Sequence, residues 1–325
     1  MATALATLRA LPLEVLAPHQ TPIDRLRRLE AALGPLAPAI FIKRDDLLSF
    51  GMGGNKVRKL QAVLAEARAA GVNTLITCGG VQSNHCRVTA AAGAALGLRV
   101  ILVANGVAQD VPTGNARLDQ LFGADIRYVS SRDQRQPAMD AIAADERTQG
   151  RRPCVIPLGA STPLGAAGFA RGIEEVLTAG LSPTAIVHST SSGGTQAGII
   201  AGSTLFGLTA RVVGISADDP ADALRSTIGA LLDGMGRLLG VSPSALGRDR
   251  AIDVDDTQVG GGYGVPTAAS IEAMALVART EGIVLDPVYT AKAMAGLIAR
   301  VRGGEFSSTD RVLFWHTGGQ AGFFA

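Results

Sequence analysis

Lysine is the scarce residue of this chain: there are four, at positions 43, 56, 59 and 292, against twenty-six arginines. Where arginine fills nearly every generic cationic role, a remaining lysine is one whose amine chemistry is needed. Aromatic residues are also few, with one tryptophan and three tyrosines. The three cysteines (78, 86 and 154) form no C-x-x-C pair, which fits reduced thiols in a cytoplasmic protein and gives no disulfide framework. The four histidines (19, 85, 188 and 316) lie far apart without metal-ligand spacing, so no metal is expected. No run of eighteen clean apolar residues occurs, and the apolar N-terminus carries Arg9 and Glu14 within it. Neither a membrane span nor a signal peptide is expected. A net charge of +2, with arginines scattered rather than striped, offers nothing to nucleic acid or a membrane surface.

What the chain does have is alternation. Its 325 residues suffice for about two domains with ample core. Apolar runs at 40–44, 74–78, 99–104, 125–129, 154–157, 185–189, 211–216, 252–254 and 312–316 read as strands. Helical patterns separate them, and residues 1–35 read as irregular and then helical, with an amphipathic patch from Asp24 to Leu33. Continuous apolar strands alternating with helices indicate an α/β fold with parallel-rich sheets covered on both faces. The loop from Leu158 to Gly165 reads as a domain boundary.

Several stretches could carry chemistry. Gly53-Gly54-Asn55-Lys56 ends a glycine run and delivers Lys56 to the first turn of a helix. The unpaired amides and partial positive charge there lower an ammonium pKa, which suits a nucleophilic amine. A solvated surface lysine is the plainer reading of the same residue. Ser189 to Gly198 follows a strand and opens a helix, so Ser192, Gly193, Gly194 and Thr195 could converge on a phosphate or simply form a turn. Ile199 stands where a P-loop needs lysine, and no G-x-G-x-x-G occurs, so a nucleotide triphosphate is not expected. Gln82-Ser83-Asn84-His85 sits at a strand's carboxyl end, offering polar groups to a ligand or a helix cap. Tyr263 in a glycine loop and Tyr289 at a helix start are either packing residues or site residues, and Thr317 follows the last strand.

Taken together, these stretches resemble the pyridoxal 5′-phosphate enzymes of fold type II, the tryptophan-synthase-β-like fold. The likeness is to the branch of D-cysteine desulfhydrase and aminocyclopropane-carboxylate deaminase. It runs from Thr21-Pro22 through Ile42-Lys43-Arg44-Asp45-Asp46, Gly53 to Leu60 and Gln82 to His85, to Trp315-His316-Thr317-Gly318-Gly319. It implies two three-layer α/β/α domains: residues 1–53 with 162–325 as the larger, 54–161 inserted as the smaller, and the cofactor in the cleft. By the resemblance, Lys56 bonds covalently to the cofactor, and Ser192, Gly193, Gly194 and Thr195 hold its phosphate with Lys59. Asn84 meets its phenolic oxygen. Ser83 holds the substrate carboxylate, and Tyr289 and Tyr263 overlie the reacting atoms.

Two positions favour the desulfhydrases within this branch. The deaminases have a glutamate facing the pyridine nitrogen where this chain has Thr290, and a leucine where it has Thr317. A neutral hydroxyl leaves the ring a weaker electron sink than a carboxylate does, which suffices when a β-substituent departs. Ala160 replaces a usual glycine and Phe169 a usual tyrosine. The expected reaction is β-elimination from a small amino acid, D-cysteine first, with L-cysteate, β-chloroalanine and aminocyclopropane-carboxylate as rivals. A racemase on the same cofactor is conceivable, and a non-catalytic ligand-binding homologue would require Lys56 to be idle. The resemblance also implies a homodimer.

Overall fold

Ten strands occur among the described residues: β1 (Ile23–Arg25), β2 (Ala39–Arg44), β3 (Thr74–Gly80), β4 (Arg99–Asn105), β5 (Asp125–Val129), β6 (Pro153–Ile156), β7 (Ala185–Thr190), β8 (Arg211–Ser216), β9 (Asp253–Asp255) and β10 (Arg311–His316). They belong to a computed structural model that describes residues 2–18 and 20–325; Met1 and His19, one of the four histidines, lie outside the described residues. One sheet runs β1-β2-β10-β7-β8-β9 and the other β5-β4-β3-β6. All pairings are parallel except that of β1 with β2. The α/β fold with parallel-rich sheets is as the alternating pattern implied.

Burial explains why the strands read as unbroken apolar runs. Every residue of β7 is buried, as are the first six of β3. Successive residues of β10 feed cores on opposite faces: Val312 and Phe314 pack with Ile42 and Val187, while Leu313 and Trp315 pack with Ile186 and Phe169. Small residues in the helices allow close approach. A Cβ on Gly198 would fall 2.6 Å from the Ala166 carbonyl oxygen, so the helices Gly194–Leu205 and Pro163–Ala170 touch backbone to backbone.

The N-terminal expectation needs correcting. Ala2–Ala10 is a helix rather than irregular chain, because Ala4 and Leu8 share a face and pack with Leu224 and Ile228. The patch from Asp24 to Leu33 divides into β1 and the shorter helix Arg27–Leu33. Three strand residues carry too little periodicity to be read from sequence.

A buried charge cluster ties these parts together. Arg58, on the helix Lys56–Ala69, donates to Asp45 at 2.7 and 2.8 Å and to Glu175 at 2.5 and 3.0 Å. Trp315 Nε1 donates to Asp45 at 2.8 Å, and Lys43 donates to Glu175 at 2.6 Å. The ion pairs hold Asp45 below the usual carboxylate range despite burial, chiefly through Arg58. Removing the guanidinium leaves Asp45 a buried carboxylate without its main partner. Arg58→Met is therefore expected to lose about 3–5 kcal/mol of unfolding free energy, read by denaturant titration.

Candidate active site

The loop before Lys56 is stitched to two strand ends. Gly54 N donates to the Asp45 carbonyl at 2.9 Å and Asn55 N to the Thr317 carbonyl at 3.0 Å. Gly54 has φ +102°, and a Cβ there would fall 2.9 Å from the Thr317 oxygen, so only glycine fits. Lys56 thus enters its helix at the mouths of β2 and β10. Its Nζ donates to Asn55 Oδ1 at 3.0 Å, and Asn55 Nδ2 donates to Thr195 Oγ1 at 2.8 Å. One asparagine therefore links the amine to the glycine-rich loop after β7. Burial, and then the charge of Arg87, lower the Lys56 ammonium from 10.5 to about 8.

Around this amine lies one pocket. It is lined by Lys56, Ser83, Asn84, Ser192, Gly193, Thr195, Tyr263, Tyr289 and Thr317, all expected site residues from separate stretches of the chain. Lys59 and Gly194 stand one layer back. Lys59 Nζ donates to Ser161 Oγ at 3.2 Å, Gly194 N donates to the same oxygen at 3.2 Å, and Ser161 Oγ lies 2.8 Å from Ser192 Oγ. Burial and neighbouring Lys56 push the Lys59 pKa well below its ordinary value. An added Cβ on Gly194 would meet Ser161 Oγ at 2.6 Å and Ser161 Cα at 3.0 Å, so the two loops approach this closely only with glycine.

The orientation of Asn84 follows from its neighbours. Its Oδ1 accepts from Arg87 Nη1 at 3.1 Å and from Asn115 Nδ2 at 2.9 Å. Its amide nitrogen is therefore the end left for the pocket, and Asn84 is a donor there. Ser83 caps the helix Asn84–Leu96 by accepting from Cys86 N at 3.3 Å, and it also lines the pocket. His85 has a defined tautomer as well. Thr77 Oγ1 donates its proton to the Ile156 carbonyl at 2.7 Å, so it accepts from His85 Nε2 at 2.7 Å.

Tyr263 and Tyr289 meet hydroxyl to hydroxyl at 2.8 Å. Burial and the adjoining Tyr263 raise Tyr289 well above the ordinary phenol value, so it is a neutral phenol. The Tyr263 loop is tied to the Tyr289 helix by Lys292, whose Nζ donates to the carbonyls of Ala217, Val259 and Gly262 at 3.1, 2.8 and 2.9 Å. Across the mouth, Arg132 Nη2 donates to Asp218 at 2.8 Å, and its guanidinium lies 5.8 Å over the Tyr263 ring.

One expectation is corrected. Thr290 does not line the pocket; its hydroxyl donates to Asp286 Oδ1 at 2.6 Å and accepts from Asp286 N at 2.8 Å. The carboxylate that caps the helix takes this hydroxyl, leaving Thr317 as the pocket's threonine on the β10 side. Sequence reasoning also missed Ser161, Arg87, Arg132, Arg135 and Asp218. Only Arg87 had a signal, three residues beyond Asn84 on one helical face.

The family model described as pyridoxal-phosphate dependent enzyme matches residues 15–318. The chain belongs to the pyridoxal-phosphate-dependent enzyme family. Its relatives include a D-cysteine desulfhydrase of Salmonella typhi, 37% identical over 94% of this chain and 93% of that protein. A Pyrococcus abyssi protein provisionally named as a 1-aminocyclopropane-1-carboxylate deaminase is 35% identical over 98% of this chain and 95% of that one. A solved structure described as an ACC deaminase homologue superposes with a TM-score of 0.91, 35% identical, over 100% of this chain and 97% of that one. Solanum lycopersicum threonine deaminase, 16% identical at TM-score 0.69 over 98% of this chain and 84% of that one, shares the fold. Among the described residues, no helix is long and apolar enough to cross a membrane, and no cluster of acidic, histidine or cysteine side chains could hold a metal.

The residues present fit pyridoxal phosphate. Ser189 Oγ and Thr190 Oγ1 are buried pocket hydroxyls without hydrogen-bond partners, beside the Ser192–Thr195 loop and the first amides of its helix. A phosphate there would favour the charged form of Lys59. Asn84 offers a donor to a phenolic oxygen, Thr317 a hydroxyl to a ring nitrogen, and Lys56 an amine to an aldehyde. In protein stripped of cofactor, the rate of covalent pyridoxal phosphate capture should rise with pH through about 8 as Lys56 loses its proton. Arg87→Met removes a cation that disfavours the ammonium, so the midpoint should move up towards 10.5; a stopped-flow absorbance series checks the direction.

Proposed function

We propose that the enzyme catalyses β-elimination from a small amino acid, with D-cysteine the first choice, giving pyruvate, hydrogen sulfide and ammonia. One observation carries the branch assignment. Among the described residues the one carboxylate lining the pocket, Asp218, is bound to Arg132 and Ser191, and the β10 side offers the neutral hydroxyl of Thr317, where the deaminases have leucine. A hydroxyl gives the ring nitrogen a neutral hydrogen bond. The ring is then a sink adequate for losing a β-substituent and poorly matched to opening a cyclopropane. The named desulfhydrase among the relatives supports this choice.

When bound, pyridoxal phosphate supplies the electron sink at the substrate α-carbon. The chain's residues supply the rest. In this reading Ser192, Gly193, Gly194 and Thr195, backed by Ser161 and Lys59, hold the phosphate. Ser83 and the first amides of the Asn84 helix hold the substrate carboxylate. Lys56 Nζ, with its lowered pKa, takes the α-proton, while Tyr289, a neutral phenol, keeps its own. The division into residues 1–53 with 162–325 and an inserted 54–161, with the reaction in the cleft between, belongs to this proposal. So do a homodimeric state, which rests on the family resemblance, and a cytoplasmic location, which rests on three cysteines that form no C-x-x-C pair.

L-cysteate, β-chloroalanine and aminocyclopropane-carboxylate are the rival substrates. Purified enzyme with cofactor bound should release sulfide rapidly from D-cysteine and little from L-cysteine, measured separately. No sulfide from either would end the desulfhydrase assignment, while leaving the fold and the pocket unchanged.

A further inference from the structure

Arg135 opens the helix Arg135–Thr148 and is 7% exposed, yet it lines the same pocket. One of its terminal nitrogens donates to Asn105 Oδ1, at the carboxyl end of β4. Its Nε is buried with no hydrogen-bond partner. Among the described residues no carboxylate lies within ion-pair reach of it, whereas buried Arg58 has two. The thiols of Cys78 and Cys86 feel its charge, but burial raises both above the ordinary thiol value and keeps them neutral. A buried cation without a counter-ion is costly, and such a group in a pocket wall is matched to an anion the ligand brings.

Its position says which anion. The phosphate is already assigned to the loop after β7, and the substrate carboxylate to Ser83 and the neighbouring amides. Arg135 and Asn105 lie elsewhere, beside Gly80: a Cβ on Gly80 would sit 3.9 Å from Asn105 Oδ1 and 3.5 Å from the Tyr263 ring. This is the wall next to the tyrosine pair. We infer that Arg135 receives the charge of the departing β-substituent, and so selects amino acids whose β-group leaves as an anion, such as thiolate, sulfite or chloride. The inference rests on the elimination reading above. In the step, the α-C–H bond breaks and its proton passes to Lys56 Nζ. The bond from Cβ to the substituent breaks with both electrons staying on the substituent, and a double bond forms between Cα and Cβ. Water then converts the released unsaturated amine to pyruvate and ammonium, with no oxidant or reductant consumed. Serine is disfavoured, because hydroxide needs a proton to leave and Arg135 is a poor proton donor.

The test compares wild type, Arg135→Gln and Arg135→Lys, each with cofactor bound. Elimination is measured on each enantiomer of cysteine and of β-chloroalanine. Exchange of the alanine α-hydrogen with D2O, followed by NMR, reads proton removal without any leaving group. Arg135→Gln should lower cysteine elimination by about 10²-fold and β-chloroalanine elimination less, with alanine exchange and cofactor absorbance held within about threefold. Arg135→Lys, which keeps the charge, should recover part of the loss. Equal losses in exchange and in both eliminations would overturn the anion site and make Arg135 a structural residue. Wild-type protein showing neither exchange nor elimination would instead overturn the lyase reading beneath it.

Discussion

Arg58 is bonded on two sides by carboxylates, the buried Asp45 and the half-buried Glu175, and most of the site's geometry is downstream of that pairing. Its helix begins at Lys56 and packs through Leu60 and Leu64 on the β3–β4 sheet. Its guanidinium reaches Asp45, beyond β2, and Asp45 also accepts from Trp315 of β10. A buried ion pair gives little net stability over an apolar packing, but it is sharply directional, and a displaced partner is costly. Here the direction places the start of the Lys56 helix against the exits of β2 and β10. The amine is thus set by a cluster that never touches the pocket.

Three cations at the pocket, Lys56, Lys59 and Arg87, share one character: they are held where burial disfavours them. Lys56 and Lys59 are both depressed by burial, and Arg87 is lowered to about 10 with three neutral oxygens as its partners. Asp119 is pushed up to about 8 by burial and supplies little compensating charge at neutral pH, which leaves Asp286 as the carboxylate opposing Lys56 and Arg87. Such a site is unsatisfied by the protein alone. It is suited to a ligand set that carries several negative charges, as a phosphorylated cofactor with an amino-acid substrate does.

Much of this was legible in the sequence, for reasons that can be named. The strands were visible because parallel strands buried on both faces are continuous apolar runs, as in β3 and β7. The motif residues were visible because glycines, hydroxyls and a rare lysine cluster at strand ends. The N-terminal helix and β1 were not, being stabilised by tertiary contacts of Leu8 and Ile23 that leave little local pattern. The place of Thr290 was hidden because sequence adjacency to Tyr289 does not reveal that Asp286 captures its hydroxyl. Arg132 and Arg135 were invisible in a chain so rich in arginine, since only packing distinguishes the buried one from its exposed neighbours.

Two of the ion pairs differ in their exposure to solvent. Arg58 and Asp45 have side chains 3% and 0% exposed, while Arg132, bridging the pocket mouth to Asp218, is 46% exposed. Counter-ions reach the second and not the first, and near physiological ionic strength screening acts over about 8 Å. Added salt therefore weakens the bridge at the mouth while leaving the frame under Lys56 intact. Access to the pocket and stability of the fold answer to ionic strength independently.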